Sequence, residues 1–403
     1  MSSLRSTRVV LGDEVRPASV RWEDGVIVEI QDGAAETDVG DLVVLPGLVD
    51  SHVHVNEPGR SDWEGFATAT RSALAGGTTT IVDMPLNSIP PTTTVAALEE
   101  KRAVATGQVE VDVAFWGGII PGSTGEIPGM ISAGVCGFKV FLIDSGVPEF
   151  PPVSLDLLSE LSLDVPLLVH AESPDHVGAP GGSYAEYLAS RPPAAEATAI
   201  TQLAGLASPV HVLHVSSAEG VEAVAAGTRI SGETCPHYLL FSDEDVTGVE
   251  FKCAPPIRSR VHREALWEAL IAGTLTMVVS DHSPASPELK EGDFATAWGG
   301  ISSLQLRLPI TWTGAAGREV GFDQLARWLA LAPAELAGLD DRKGSISEGR
   351  DADFVVFDPD GETVVRGAEL HHRHPLTPYE GMRLRGRVVD TVRGSPARML
   401  SRK

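Results

Sequence analysis

Residues 4–30 alternate apolar and polar positions over short stretches, "STRVVLG", "ASVRWEDG" and "VIVEI", each followed by turn-forming residues. Alternation of this kind, punctuated by Gly, Asp and Pro, predicts antiparallel strands with one wet face. The tail repeats it in "GSISEGRDADFVVFDPDGETVV" and "MRLRGRVVDTVRG". Between about 47 and 345 the pattern changes, and short β-rich runs alternate with stretches rich in Ala, Leu and Glu. The runs are "GLVDSHV" (47–53), "TTIVDMP" (79–85), "VEVDVAFW" (109–116), "CGFKVFL" (136–142), "PLLVHAE" (166–172), "VHVLHVS" (210–216), "RISGETC" (229–235) and "LTMVVSD" (275–281). Eight strands separated by helices predict an α/β fold with a (β/α)8 barrel, whose chemistry sits at the C-terminal strand ends. The two terminal β segments predict a small β-sandwich built from both termini. The expected division is 1–46 and 346–403 for that sandwich and 47–345 for the barrel.

Composition narrows the class. A chain of 403 residues can bury a large core, and with 43% apolar but only 5% aromatic residues that core is built mainly of Ala, Val, Leu and Ile. The net charge of −24 is spread without long single-sign blocks. It argues against nucleic acid, whose phosphates such a surface repels. Cys136, Cys235 and Cys253 lie far apart with no C-x-x-C spacing, which fits a reducing compartment better than a disulfide framework. No apolar segment near the start reads as a leader, and no run is long enough to span a bilayer, so a soluble, cytoplasmic protein without a membrane partner is expected. A phosphate-binding loop, a dinucleotide fingerprint and a G-x-S-x-G elbow are all missing from the sequence.

The candidate chemistry lies at the run ends. His52 and His54 are two apart, so on a strand both face the same side, and inside a barrel that side is inward. A hydrogen-bonded pair of core histidines would explain them alone equally well. His170 closes the fifth run, His214 the sixth and Asp281 the eighth. Imidazoles with a carboxylate suit zinc or a similar divalent ion. Lys139, in "GFKVFL", would be an ammonium among Phe138, Val140 and Phe141, costly to bury unpaired. A salt bridge, a snorkelling side chain, or a deprotonated amine that reacts with CO2 to form a carbamate all remain open on the residues alone. His211, three before His214, is expected on the opposite face, under a helix. His237 is expected beside the site, and His282 turned away from it. "HHRHP", from residue 371, reads as a solvated connection outside the barrel.

With these residues in view, the chain resembles the cyclic-amidase branch of the amidohydrolase superfamily, and within it the allantoinases. The likeness runs through "GLVDSHVHVNEPG", "GGTTTIVDMPLNSIPPTTT", "GFKVFL", "LLVHAES", "RPPAAEATAI", "HVSSAEGVE", "GETCPHYL", "KCAPPIR", "VSDHSP", "GDFATAWGGISSLQ" and "LTPYEGMRLRGRVV". The resemblance implies a two-metal centre: His52 and His54 on one divalent ion, His170 and His214 on the other, carboxylated Lys139 between them, and Asp281 completing the first site and moving the proton. Zinc is the expected metal. It implies hydrolysis of a cyclic amide by activated water, allantoin giving allantoate, in a homo-oligomer, with a tetramer the expected form.

Substrate choice within the branch rests on smaller differences. Many dihydroorotases read H-x-H-x-R-E-P-G, with the arginine gripping the substrate carboxylate, whereas this chain has "HVHVNEPG" with Asn56 in that place. An amide cannot match a bidentate guanidinium, so a small neutral cyclic ureide is favoured. Arg60 keeps dihydroorotase in play as a substitute clamp, and a hydantoinase or dihydropyrimidinase is the other enzymatic alternative. Asn87, Ser88 and the "GGIS" segment around Gly300 are carried over as substrate contacts, partly through backbone groups. Ala254 and Ser259 stand where relatives often carry Ser and Asp, so side-chain contacts from those positions are not expected. A non-catalytic scaffold, known where such chains have lost their ligands, is disfavoured because all six ligand positions are filled.

Overall fold

The computed structural model describes residues 2–402. Both chain ends contribute to one seven-stranded sheet, in the order 383–393, 353–364, 43–46, 2–11, 14–23, 26–31, with Thr37–Asp38 beside 2–11. Its hairpins are specified locally. Asp24 and Gly25 both take positive φ (50° and 80°), as the tight Asp-Gly turn between Glu14–Glu23 and Val26–Gln31 requires. The two ends meet where Asp353–Val364 pairs antiparallel with Val43–Pro46, Val355 lying opposite Leu45. Leu4, Val20, Val44, Phe354 and Val356 form the interior of this β-sandwich.

The middle of the chain forms the barrel. Its parallel strands are Leu48–Val53, Thr78–Asp83, Asp112–Phe115 continued by Gly117–Gly118, Phe138–Phe141, Leu167–His170, Val210–Val212, Ile230–Thr234 and Met277–Val278. Each pairs in register with the next, Phe141 opposite His170 and Val212 opposite Gly232. Closure comes from a bridge between Val53 and His282, with the His54 N–H donating to the His282 carbonyl at 2.8 Å. The seam is reinforced from inside: the buried Arg307 guanidinium donates to the carbonyls of Val49 (2.9 Å) and Val278 (3.2 Å). Helices such as Phe66–Ala75, Val95–Ala105, Pro193–Leu203, Ala218–Ala226 and Arg260–Ala272 cover the outside. Thr94 and Ser217 start two of them by accepting the N–H groups of Ala97 and Gly220, which the first helical turn otherwise leaves unpaired. No helix among the described residues is long and apolar enough to cross a membrane.

One segment departs from expectation. The end of the chain leaves the terminal sheet and runs beside the third barrel strand, where Val113 donates to the Arg398 carbonyl (3.0 Å) and accepts from the Leu400 N–H (2.8 Å). The fourth strand pairs with the third only at Gly117 and Gly118. The start of the third strand therefore has an open edge, and the tail fills it.

Candidate active site

All six predicted ligands converge at the C-terminal ends of the barrel strands. His52 Nε2 lies 3.1 Å from Asp281 Oδ1, and His54 Nε2 lies 3.6 Å from the same oxygen. Lys139 Nζ stands 3.5 Å from His52 Nε2. His170 Nδ1 and His214 Nε2 approach to 3.1 Å, and the His52 and His214 rings are 5.5 Å apart, which joins the two halves. His214 and Asp281 both hold positive φ (41° and 42°), a conformation costly for residues with a Cβ and common where function fixes a side chain. Here it turns the chain just past the strand and aims both groups into the barrel mouth.

Neighbouring carboxylates determine which nitrogen His52 and His170 present. Glu233 Oε1 holds His52 Nδ1 at 2.5 Å, leaving Nε2 for Asp281. The other Glu233 oxygen meets His211 Nε2 at 3.1 Å, and His211 Nδ1 contacts Ser231 Oγ at 2.8 Å. In the second half, Glu172 Oε2 takes His170 Nε2 at 2.6 Å, leaving Nδ1 toward His214. Arg191 backs Glu172, with Nε 3.0 Å from Oε1 and a second contact from its Nη2. Carboxylate partners of this kind orient ligating histidines and raise their basicity.

The electrostatics agree with a ligand set. Burial lowers the Lys139 pKa to about 8, against Asp281 and Glu233, so an appreciable fraction of its amine is uncharged near neutrality. Burial also drives His54 and His214 well below the usual imidazole range, His54 with help from Lys139 and His214 with help from His170. At His52 burial acts the same way, yet Asp281 and Glu233 outweigh it and raise the pKa. For Glu172, burial is overcome by Arg191 and His170, which hold the carboxyl at about 2. Neutral imidazoles and ionised carboxylates are the forms that bind metal. His54 Nδ1 and His214 Nδ1 are buried without partners, and one ligand atom each from His52, His54 and Asp281 lie within 4.8 Å of one another. The donor set fits divalent cations of the zinc type.

A cavity of about 290 Å3 opens onto this cluster, lined by His54, Lys139, His170, His214 and Asp281 together with Asn87 and Gly300. Asn56 and Ser88 do not line it. The Asn56 amide donates to the Pro284 carbonyl (3.2 Å) and accepts from Asn87 Nδ2 (3.0 Å), while Ser88 Oγ donates to the Pro85 carbonyl. Gly300 is present but its backbone is engaged: its N–H donates to the Lys252 carbonyl (2.7 Å) and its carbonyl accepts from Lys290. Arg60 is paired with Glu149 and lies over the Trp63 ring, away from a clamp role. Ala254 lines the cavity with a methyl group only.

Two histidine expectations are corrected. His211 is not under a helix but inside the barrel on Glu233, because the sixth strand ends at Val212 and His214 sits beyond it, so strand alternation does not relate the two. In the "HHRHP" segment His372 is buried, its ring 6.0 Å from that of His282, and the Arg373 guanidinium donates to the Glu64 carbonyl, so this connection is anchored on the barrel while His371, Arg373 and Pro375 stand exposed as expected. His237 is buried beside Cys235 and Asp281, and His282 turns to Glu64 at 3.2 Å, as the sequence predicts. Sequence reading passed over Glu172, Glu233 and Arg191. Glu172 carried a signal, being two residues after His170.

The comparisons agree with this geometry. Residues 43–395 match the family model described as the amidohydrolase family. The chain is 48% identical to an allantoinase of Streptomyces avermitilis, covering 96% of this chain and 93% of that one. It is 38% identical to the allantoinase of Saccharomyces cerevisiae, covering 97% and 94%. Among solved structures, the L-hydantoinase (dihydropyrimidinase) from Arthrobacter aurescens superposes with a TM-score of 0.91 at 30% identity, covering 100% of this chain and 98% of that one. With its barrel, its terminal sandwich and its histidine-lined mouth, the chain belongs to the amidohydrolase family, in the branch that holds the allantoinases.

Proposed function

We propose that the chain opens the hydantoin ring of allantoin by hydrolysis to give allantoate, using two divalent ions, most fittingly zinc. The observation that carries this is the arrangement of ligand atoms: His52 Nε2, His54 Nε2 and Asp281 Oδ1 in one group, His170 Nδ1 and His214 Nε2 in the other, with Lys139 beside the first. Carboxylation of Lys139 by CO2 would place an anionic oxygen pair between the two groups. Bound divalent ions supply Lewis acidity, polarising the ring carbonyl and acidifying the attacking water.

The remaining work falls to the chain's own side chains. Asp281, whose carboxyl is held, against its burial, well below the usual range by His52, would take the proton of the attacking water and return it to the departing ring nitrogen as the C–N bond breaks. Glu233 and Glu172 keep His52 and His170 in the tautomers that present their free nitrogens.

The position where many dihydroorotases carry a carboxylate-gripping arginine offers no such clamp here. The Asn56 amide is engaged with Pro284 and Asn87, and the nearby guanidinium of Arg60 is neutralised by Glu149, so no arginine there awaits a carboxylate. The test is hydrolysis of allantoin, hydantoin, dihydrouracil and dihydroorotate by one metal-loaded preparation. Allantoin is expected to turn over fastest; fastest turnover of dihydroorotate would overturn the assignment.

A further inference from the structure

The wall of this cavity also carries donors that find no full set of acceptors among the described residues. Lys252 lines this wall and is only 7% exposed. It follows the short turn Val249–Phe251, and its carbonyl is fixed by the Gly300 N–H. That clasp has little freedom, since Gly300 has φ of 144° and a Cβ there would meet the Ser283 carbonyl oxygen at 2.1 Å. The Lys252 ammonium forms no ion pair among the described residues. It donates to the Ala297 carbonyl and rests 5.1 Å from the centre of the Tyr187 ring. An ammonium carries three donors, so two remain in a setting that has excluded most water. Trp298, which lines the same cavity, has a buried indole N–H with no acceptor among the described residues. The neighbouring Arg191 differs in that its charge is already matched by Glu172, which takes its Nε and Nη2.

The hydantoin carbonyl that is opened, C4, is bonded to C5, so with that carbonyl at the histidine cluster the C5 substituent starts one bond from the reacting carbon and extends into the rest of the cavity. In allantoin the substituent is a ureido arm, whose carbonyl oxygen is a strong neutral acceptor. We infer that the Lys252 ammonium receives this carbonyl, with Trp298 as the second donor, and that Lys252 sets the preference for hydantoins bearing a ureido arm over the unsubstituted ring. The inference rests on the reading that allantoin is the substrate.

The experiment measures kcat and KM for allantoin and for hydantoin, with dihydroorotate alongside, in the metal-loaded protein and in Lys252→Met and Lys252→Arg. Methionine retains the apolar stem and removes the charge. One charge-assisted hydrogen bond corresponds to about 10- to 100-fold. The ratio of kcat/KM for allantoin to that for hydantoin is expected to fall by that factor in Lys252→Met, mainly through KM, and to recover in part in Lys252→Arg. Equal losses on both substrates would show a structural role and overturn the inference, as would an unmoved ratio or a selective loss of dihydroorotate turnover. If the unaltered protein opens hydantoin but not allantoin, the substrate reading itself fails. If it opens allantoin and only the ratio stays fixed, the Lys252 role alone fails.

Discussion

Two clusters of buried charge sit at opposite ends of the barrel strands, and they differ in what occupies their centres. At the N-terminal end, Asp112, Asp351 and Asp353 bring carboxylate oxygens within 4.8 Å of one another, close enough for a cation. Lys343 already fills that place, with Nζ at 2.6, 2.9 and 2.6 Å from Asp112, Asp351 and Asp353, and Arg393 and Arg398 close the outside on Asp112. At the C-terminal end the resident cation, Lys139, makes no ion pair among the described residues and has its pKa lowered to about 8, first by burial. The first cluster is complete and ties the barrel to the terminal sheet. The second gathers imidazole nitrogens and the Asp281 carboxylate around a lysine that no carboxylate saturates. Proximity of acids and bases alone does not distinguish a lock from a reaction centre; saturation does.

Substitutions should separate the two ends. The largest effect is expected from Lys139→Ala, which should lose bound divalent ion and lower turnover of allantoin more than about a thousandfold, since Lewis-acid assistance is worth several kcal/mol. Elemental analysis and steady-state rates read this directly, and near-normal turnover would refute the bridging role. Next comes Lys343→Met, which leaves a trio of buried carboxylates without its central cation. Removing one partner of a buried ionic cluster typically costs about 3–5 kcal/mol of stability, measurable by urea unfolding, while metal content of the folded fraction should be unchanged. Loss of metal in that variant would erase the contrast between the ends.

Smaller effects sharpen the comparison within the reaction centre. Glu172→Gln and Glu233→Gln should each weaken divalent-ion binding by about 10- to 100-fold, and titration calorimetry of the chelator-stripped protein should show a different one of the two sites weakened in each. Uniform weakening of both sites would mean that the carboxylates do not act through separate histidines. The smallest effect is expected from Arg398→Ala. This residue is more than a third exposed, and Asp112 retains Lys343 and Arg393, so about 1 kcal/mol or less should be lost in thermal or urea unfolding.

The barrel was legible because each of the eight apolar runs overlaps an observed strand, and the convergence of the six candidate residues because they fall at or near strand ends. Legibility failed where local periodicity stopped. His211 was misplaced because the strand ends at Val212 and the chain turns through His214. Asn56 was taken for a substrate contact because its sequence position suggested one, yet its positive φ of 66° turns its amide onto Pro284 and Asn87. Glu233 and Arg191 act through long-range partners, His52 and Glu172, that no spacing rule connects. The chain end beside Val113 fills a gap that exists only after the strands have assembled.

The most direct test of the metal-dependent centre is the rate of allantoin ring opening before and after removal of divalent ions by chelation. Stripped protein should lose turnover and regain it on addition of zinc or another divalent ion with bicarbonate present. Undiminished turnover by a chain verified to be free of metal would contradict the role given to His52, His54, Lys139, His170, His214 and Asp281.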